Sequence, residues 1–383
     1  MPTQNGREPI KLTFVPRWKY NRMMRRKNVV VLFLWIIALN IIVAGAANKI
    51  ELQINKTLEI GKKDLMFSSI ASVCEDIDSN LYVLDRMEHK VFKFSHEGEL
   101  ILTFGQKGQG PGDYQNPHLL AMTLQGYLVV ADEMYNLSFL NEKGDFIERI
   151  HLDGRLAVSF IGEDRFYSWV WGEDNRSQVM VDRQNNVLKI FFQVPISAFS
   201  VSAPDESGRL VMFNYSREEF APSLQFAHFG RYSAVGIGDK YDILILDEKG
   251  ETTSHIRRDI QPDKFSKKEK KYFEKDIEEL GKERGWPRSV VRNLVNKIPE
   301  KKIFFSQVLL TDEHVFVFRI KNDITEESGL IPVDIFSVKG EFLEATHITD
   351  MPLHISKNRM YFVRSDEEDN LFLEKATYKI IKN

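Results

Sequence analysis

"NLYVLDRMEHKVFKFSHEGELILTFG" (Asn80–Gly105) is followed, one connector later, by "YLVVADEMYNLSFLNEKGDFIERI" (Tyr127–Ile150). Each stretch holds three apolar runs, split first by a charged turn and then by a polar turn that ends in glycine. Asp132 stands where Asp85 stood, and Lys143-Gly144 where Glu97-Gly98 stood. Short apolar runs bounded by such turns read as strands joined by hairpins, and self-similarity at a fixed interval governs the whole fold assignment. The pattern decays but recurs in "FYSWVWGEDNRSQVMVDRQNNVLKIFF" (166–192), "YDILILDEKGETTSHI" (241–256) and "VDIFSVKGEFLEATHI" (333–348).

One further strand-like stretch precedes each unit: "SSIASVCED", "LLAMTLQ", "AVSFIGED", "FSVSAPDES", "SQVLLTDEH" and "LHISKNR". Four strands at a period of roughly forty to fifty residues is the spacing of propeller blades. Units beginning near residues 68, 118, 156, 198, 304 and 353 give six blades. The last lacks a fourth strand, and "KIELQINKTLEI" (Lys49–Ile60) supplies one, which closes the ring and removes an exposed edge. The expected fold class is all-β: a six-bladed β-propeller filling residues 48–383 as a single domain, its last blade closed by the N-terminal strand.

"FGQKGQGPGDYQNPH" (Phe104–His118) packs four glycines and two prolines into fifteen positions. A phosphate cradle would need to open a helix. The chain instead continues as "HLLAMTLQGYLVVADEM", two apolar runs split at Gln125-Gly126, and no Lys-Ser or Lys-Thr pair comes after Gly112. The stretch therefore reads as a blade connector, in which Gly and Pro supply the backbone angles of a sharp crossing.

These residues also carry a resemblance. "LYVLD…KVFKFSHEGELILTFG" looks like an NHL-type repeat, and "GQGPGDYQNP" resembles the connector of bacterial extracytoplasmic six-bladed propeller proteins. The likeness is good over about residues 65–150 and is one of pattern alone beyond. It implies a fold and an exported setting. It says little of function, since that architecture hosts binding modules and a few lyases.

Residues 262–300 break the strand rhythm. Ser266 with Glu269 forms a capping box, and Phe273, Ile277 and Leu280 share one face at helical spacing. Gly281 or Gly285 and Pro287 end this helix and allow a second through Val291, Leu294 and Val295. A helical insertion between blades 4 and 5 is expected, either as a lid or docking arm or as a hairpin packed on the rim.

The formal net charge of −3 conceals a basic leader. Residues 1–28 carry eight Lys or Arg and one acid, leaving 44 basic and 54 acidic residues in the remainder. A globular part of net charge −10 excludes a nucleic-acid partner, which would require a basic face. "MRRKN", then sixteen mostly apolar residues, then "GAANK" has the form of a secretory signal peptide over residues 1–47. The alternative is an uncleaved anchor at 29–47, through which alone the chain would touch a membrane. Met23 or Met24 offers an alternative start. Either reading of the leader implies periplasmic or extracellular residence. The single cysteine, Cys74, reads as a buried inert thiol.

No sequence motif specifies chemistry, so catalytic residues are none and the chain leans away from being an enzyme. Asp85, Asp132, Trp171, Arg319 and Arg364 are candidates for binding at the channel mouth, since each ends or lies in a second strand. His118 and His354, opening innermost strands, are candidate metal ligands for the alternative of one divalent ion; otherwise no cofactor is expected. Stations matching Asp85 fall at Gly172 or Glu173, Asn214, Ile320 or Lys321, and Ser365 or Asp366, so no ring of ligands recurs. In "FYSWVWGED", Tyr167, Trp169 and Trp171 alternate with Phe166, Ser168 and Val170 and suit packing between blades. The function expected is an exported binding or scaffold module whose partner is an envelope protein or a small molecule. The rival is a metal-assisted lyase or lactonase.

Overall fold

The computed structural model describes residues 50–382, apart from 63–64, 134, 156, 162–163, 173–174, 196–199, 205–208, 216, 218, 221–223 and 327–328. The leader and its cleavage or anchor segment, together with Glu173, lie outside the described residues.

Six four-stranded sheets form the blades of a propeller. The first five span 70–104, 117–151, 157–195, 224–257 and 305–348. The sixth takes His354–Ser356, Arg359–Ser365 and Leu371–Lys382, with Ile50–Ile60 added as its outermost strand. The ring thus closes by joining the two ends of the domain, as the missing fourth strand required.

Alternation explains the packing. In Leu81–Asp85, Leu81 and Val83 pack toward the sixth blade with Tyr361 and Leu373. Tyr82 and Leu84 pack toward the second with Leu120, Leu128 and Val130. One strand, with side chains on opposite faces at period two, therefore feeds two separate cores. In the second blade Leu128 and Val130 turn back to the first, while Val129 and Ala131 meet Phe160 and Phe166 of the third. The middle strands are consequently buried on both faces, and Leu81–Asp85 and Leu128–Asp132 are buried at every position. The outermost Leu100–Phe104 is mostly exposed or half-buried. Each fully buried aliphatic side chain contributes about 1.5–3 kcal/mol.

The glycine-ended turns lie between third and fourth strands. In five blades a side chain opens the turn (Ser95, Asn141, Asp182, Asp247, Ser337) and accepts the N–H four residues on. The residue in between is left-handed: Gly98, Gly144, Asn185, Gly250 and Gly340. Phe104–His118 is a connector, as its composition indicates. Gly105 has φ +89°, and a Cβ there would lie 2.5 Å from the Tyr114 ring and 2.9 Å from the His89 carbonyl oxygen. Tyr114 is thereby seated in the core between the first and second blades.

The fourth blade departs from expectation. It begins at Leu224–Phe229, not near 198. The strands read as its inner pair, Ser200–Pro204 and Leu210–Asn214, form a separate two-stranded sheet. They pack against two helices, α1 (Lys267–Glu283) and α2 (Arg288–Val295), through Phe213, Tyr215, Phe273, Ile277, Val290 and Leu294. Period two identifies a strand but not the sheet it joins. The insertion between blades 4 and 5 is therefore one half of an arm whose other half enters before blade 4. Ser266 and Glu269 form the capping box. Glu269 also meets Lys302 at 2.6 Å with both side chains buried, and accepts the N–H of Ile324. Lys302 in turn donates to the carbonyls of Lys321 and Asn322. Burial opposes ionisation of Glu269, but these donors outweigh it and hold the carboxyl below the usual range.

Replacing Glu269→Ala strands a buried ammonium, and the expected cost is about 3–5 kcal/mol, read as a lower urea midpoint; Glu269→Met with Lys302→Met recovers most of it. Because the folded pKa is depressed, the Glu269 contribution is present at neutral pH and lost as pH falls through that depressed value. Amide exchange in α1 should accelerate there before it does in the blade cores. Gly105→Ala should cost about 1–3 kcal/mol by the same denaturation measurement.

Candidate functional site

The innermost strands of all six blades enclose a cavity of about 600 Å3. Its wall is chiefly apolar, with Val73, Ala121, Val158, Phe226, Leu309 and Ile355 among the contributors. It reaches the turns that join first and second strands, where Ile77 and Leu124 are exposed and Asp312 and Lys357 flank the opening.

Local backbone explains what this wall presents. In blades 1, 2, 3 and 5 the register of the innermost strand shifts at its second residue: Ala71, His118, Val158 and Ser306. Bulges of this kind re-aim a side chain next to a site. At His118 the imidazole turns into the seam, its Nε2 3.0 Å from the Ala157 carbonyl oxygen of the next blade. Burial lowers its pKa. His118 does not line the cavity, whereas His354 and His228 do.

Both cavity histidines are neutral near pH 7, since burial pushes each down to about 4. His228 Nδ1 lies 3.0 Å from the Ser233 hydroxyl. His354 Nε2 is buried without a partner. Glu75, also in the wall, accepts from Ser356 at 2.7 Å, from Arg359 and from Tyr361, tying the first blade to the sixth.

The remaining sequence candidates lie elsewhere. Asp85 is fully buried and accepts the backbone N–H groups of Ser68 (2.6 Å), Ser69, Met87 and Glu88 (3.1 Å each). Asp132 accepts from Gln115 (2.6 Å) and Asn116 (3.0 Å) in the same manner. Each carboxylate clamps the connector that enters its own blade. Register puts Ser168 and Arg319, not Gly172 and Ile320, at the equivalent stations: Ile70 pairs with Asp85, Ala157 with Ser168 and Phe305 with Arg319. Arg319 reaches Asp263 at 3.6 Å. Arg364 pairs with Asp350 (3.2 Å) and Glu374 (3.1 Å). Asn214 belongs to the arm. Trp171 is 61% exposed and stacks with Arg176, 5.3 Å from its ring centre. Tyr167 and Trp169 pack on Phe226 of the fourth blade, as alternation predicts. The Cys74 thiol is buried and pushed far above its ordinary pKa.

Sequence reasoning missed His228, because the strand "LQFAHF" was not placed in a blade; its alternation ahead of the Gly230 turn was the available signal. Among the described residues, no three His, Cys, Asp or Glu side chains gather as a metal site would need.

Fold and cavity together define a six-bladed β-propeller with a channel walled by all its blades. Residues 58–214 match the model of a family described as a 6-bladed beta-propeller, DUF5128. Among solved structures, an exported-protein candidate of Bacteroides fragilis is similar at TM-score 0.50 and 14% identity, covering 88% of this chain and 97% of its own. A member of the duf4221 family from Bacteroides vulgatus is similar at TM-score 0.51 and 11% identity, covering 88% and 100%. Virginiamycin B lyase from Staphylococcus aureus superposes at TM-score 0.39 and 8% identity, covering 85% and 99%. At these identities the likeness is one of fold alone. No curated protein matches the chain.

Asp132→Ala leaves two backbone donors unsatisfied, and the expected loss of at least about 2 kcal/mol is measurable by urea denaturation. The same should hold for Asp85→Ala.

Proposed function

We propose that this chain is an exported binding module that takes a small molecule into the central cavity. The observation that carries the reading is the cavity itself: a concave, mostly apolar space with a few convergent polar groups is where propellers and other rigid scaffolds hold ligands. Three features support the exported setting. The leader has the form of a signal peptide, the first two blades resemble NHL-type extracytoplasmic propellers, and a structural relative is described as an exported-protein candidate. An envelope protein as additional partner would dock on the loops that carry the arm. Channel-mouth roles for Trp171, Arg319 and Arg364 belong to that second partner, since Trp171 is exposed and none of the three lines the cavity. No specific observation favours the metal-assisted lyase.

Two measurements test this. Alkaline phosphatase fused after residue 383 should be active in a bacterial host, and activity of a β-galactosidase fusion instead would overturn export. A thermal-shift screen of small molecules should find at least one that raises the Tm of the full chain by several degrees; occupancy at 100 times Kd corresponds to about 2.7 kcal/mol. Leu309→Trp, which fills the cavity from blade 5, should abolish the shift. A shift that survives in the folded variant would remove the cavity from the function.

A further inference from the structure

The cavity wall also indicates what it would hold, an inference that rests on the reading of the cavity as the ligand site. Its charged members away from the opening are already engaged. Glu75 is held by Ser356, Arg359 and Tyr361, and Asp76 by Asn80 at 2.9 Å and Lys93 at 3.6 Å. Asp312 and Lys357, of opposite sign, stand exposed at the opening. Between them the wall is alkyl and aromatic, interrupted by hydroxyls such as Ser72, whose Oγ accepts the Leu120 N–H at 3.0 Å. Burial keeps His228 and His354 uncharged. Below the opening, away from Asp312 and Lys357, an ionic ligand would lose hydration and meet only charges that already have partners, which is costly. An apolar one would lose nothing and displace water from alkyl surface. The Nε2 of His354 is sealed behind the wall and has no surface to offer a ligand, so recognition falls to the apolar lining.

We infer that the cavity binds an uncharged, largely apolar small molecule.

A pair of probes that differ only by a sulfonate tests it: N-phenyl-1-naphthylamine, which is neutral, and 1-anilinonaphthalene-8-sulfonate, which is anionic. Fluorescence titration of the full chain should show one neutral probe per chain, bound at least tenfold more tightly than its sulfonated counterpart. Binding should disappear in Ala121→Trp and Leu309→Trp, which fill the cavity from opposite sides of the ring; two variants guard against one that does not fold. If the sulfonate binds within tenfold of the neutral probe and is lost in the filled variants, the inference falls while the binding site stands. If neither probe binds, or both bind undiminished in a folded filled variant, the cavity is not the ligand site and the inference falls with it.

Discussion

Everything in this molecule depends on burying both faces of a sheet at once. A blade in isolation would expose an apolar face to water on either side, and the alternating side chains of Leu81–Asp85 or Leu128–Asp132 would serve no core. Stacked in a ring, each blade donates odd positions to one neighbour and even positions to the other, so six seams replace one central core. The separate clusters between blades 6 and 1, 1 and 2, 2 and 3, 4 and 5, and 5 and 6 are the direct expression of that rule. Such an arrangement tolerates no open end, which is why Ile50–Ile60 completes the sixth blade.

That architecture was legible because it repeats. The turn pattern that ends at Gly98, Gly144 and Gly250 recurs for a backbone reason, a left-handed residue closing a five-residue turn, and a strand count followed from it. The fourth blade was misplaced for an equally physical reason. "FSVSAPDES" and "LQFAHF" alternate alike, and only the tertiary partner, helices in one case and a neighbouring blade in the other, tells them apart. The candidate site was far less legible. Asp85 and Asp132 drew notice because they recur, and they recur because they hold connectors. Residues facing the channel come from every innermost strand and differ from blade to blade, so no local motif announces them. His354 was found from its place at a strand start; His228 was lost with its blade.

The channel also separates two kinds of polar group by what surrounds them. Glu75 is buried and fully engaged, and its bonds to Ser356, Arg359 and Tyr361 fasten the seam at which the chain closes on itself. The cavity histidines are buried with less company, and burial holds them uncharged. A buried ionisable group keeps its charge only where partners replace water, and the imidazoles of His228 and His354 have too few.

The arm has a consequence for how the protein breathes. Its hairpin leaves the chain before the fourth blade and its helices after it, and Tyr215 joins the two halves by a hydrogen bond of 2.6 Å to Asp276. The core shared by Phe213, Phe220, Phe273 and Leu294 is therefore a clasp around both ends of one blade. Blade 4 cannot swing out of the ring without parting the hairpin from the helices, and the arm cannot come apart without freeing both ends of that blade. Blade and arm open as one cooperative unit, so the seam between blades 3 and 4 is guarded from outside the ring as well as by its own packing.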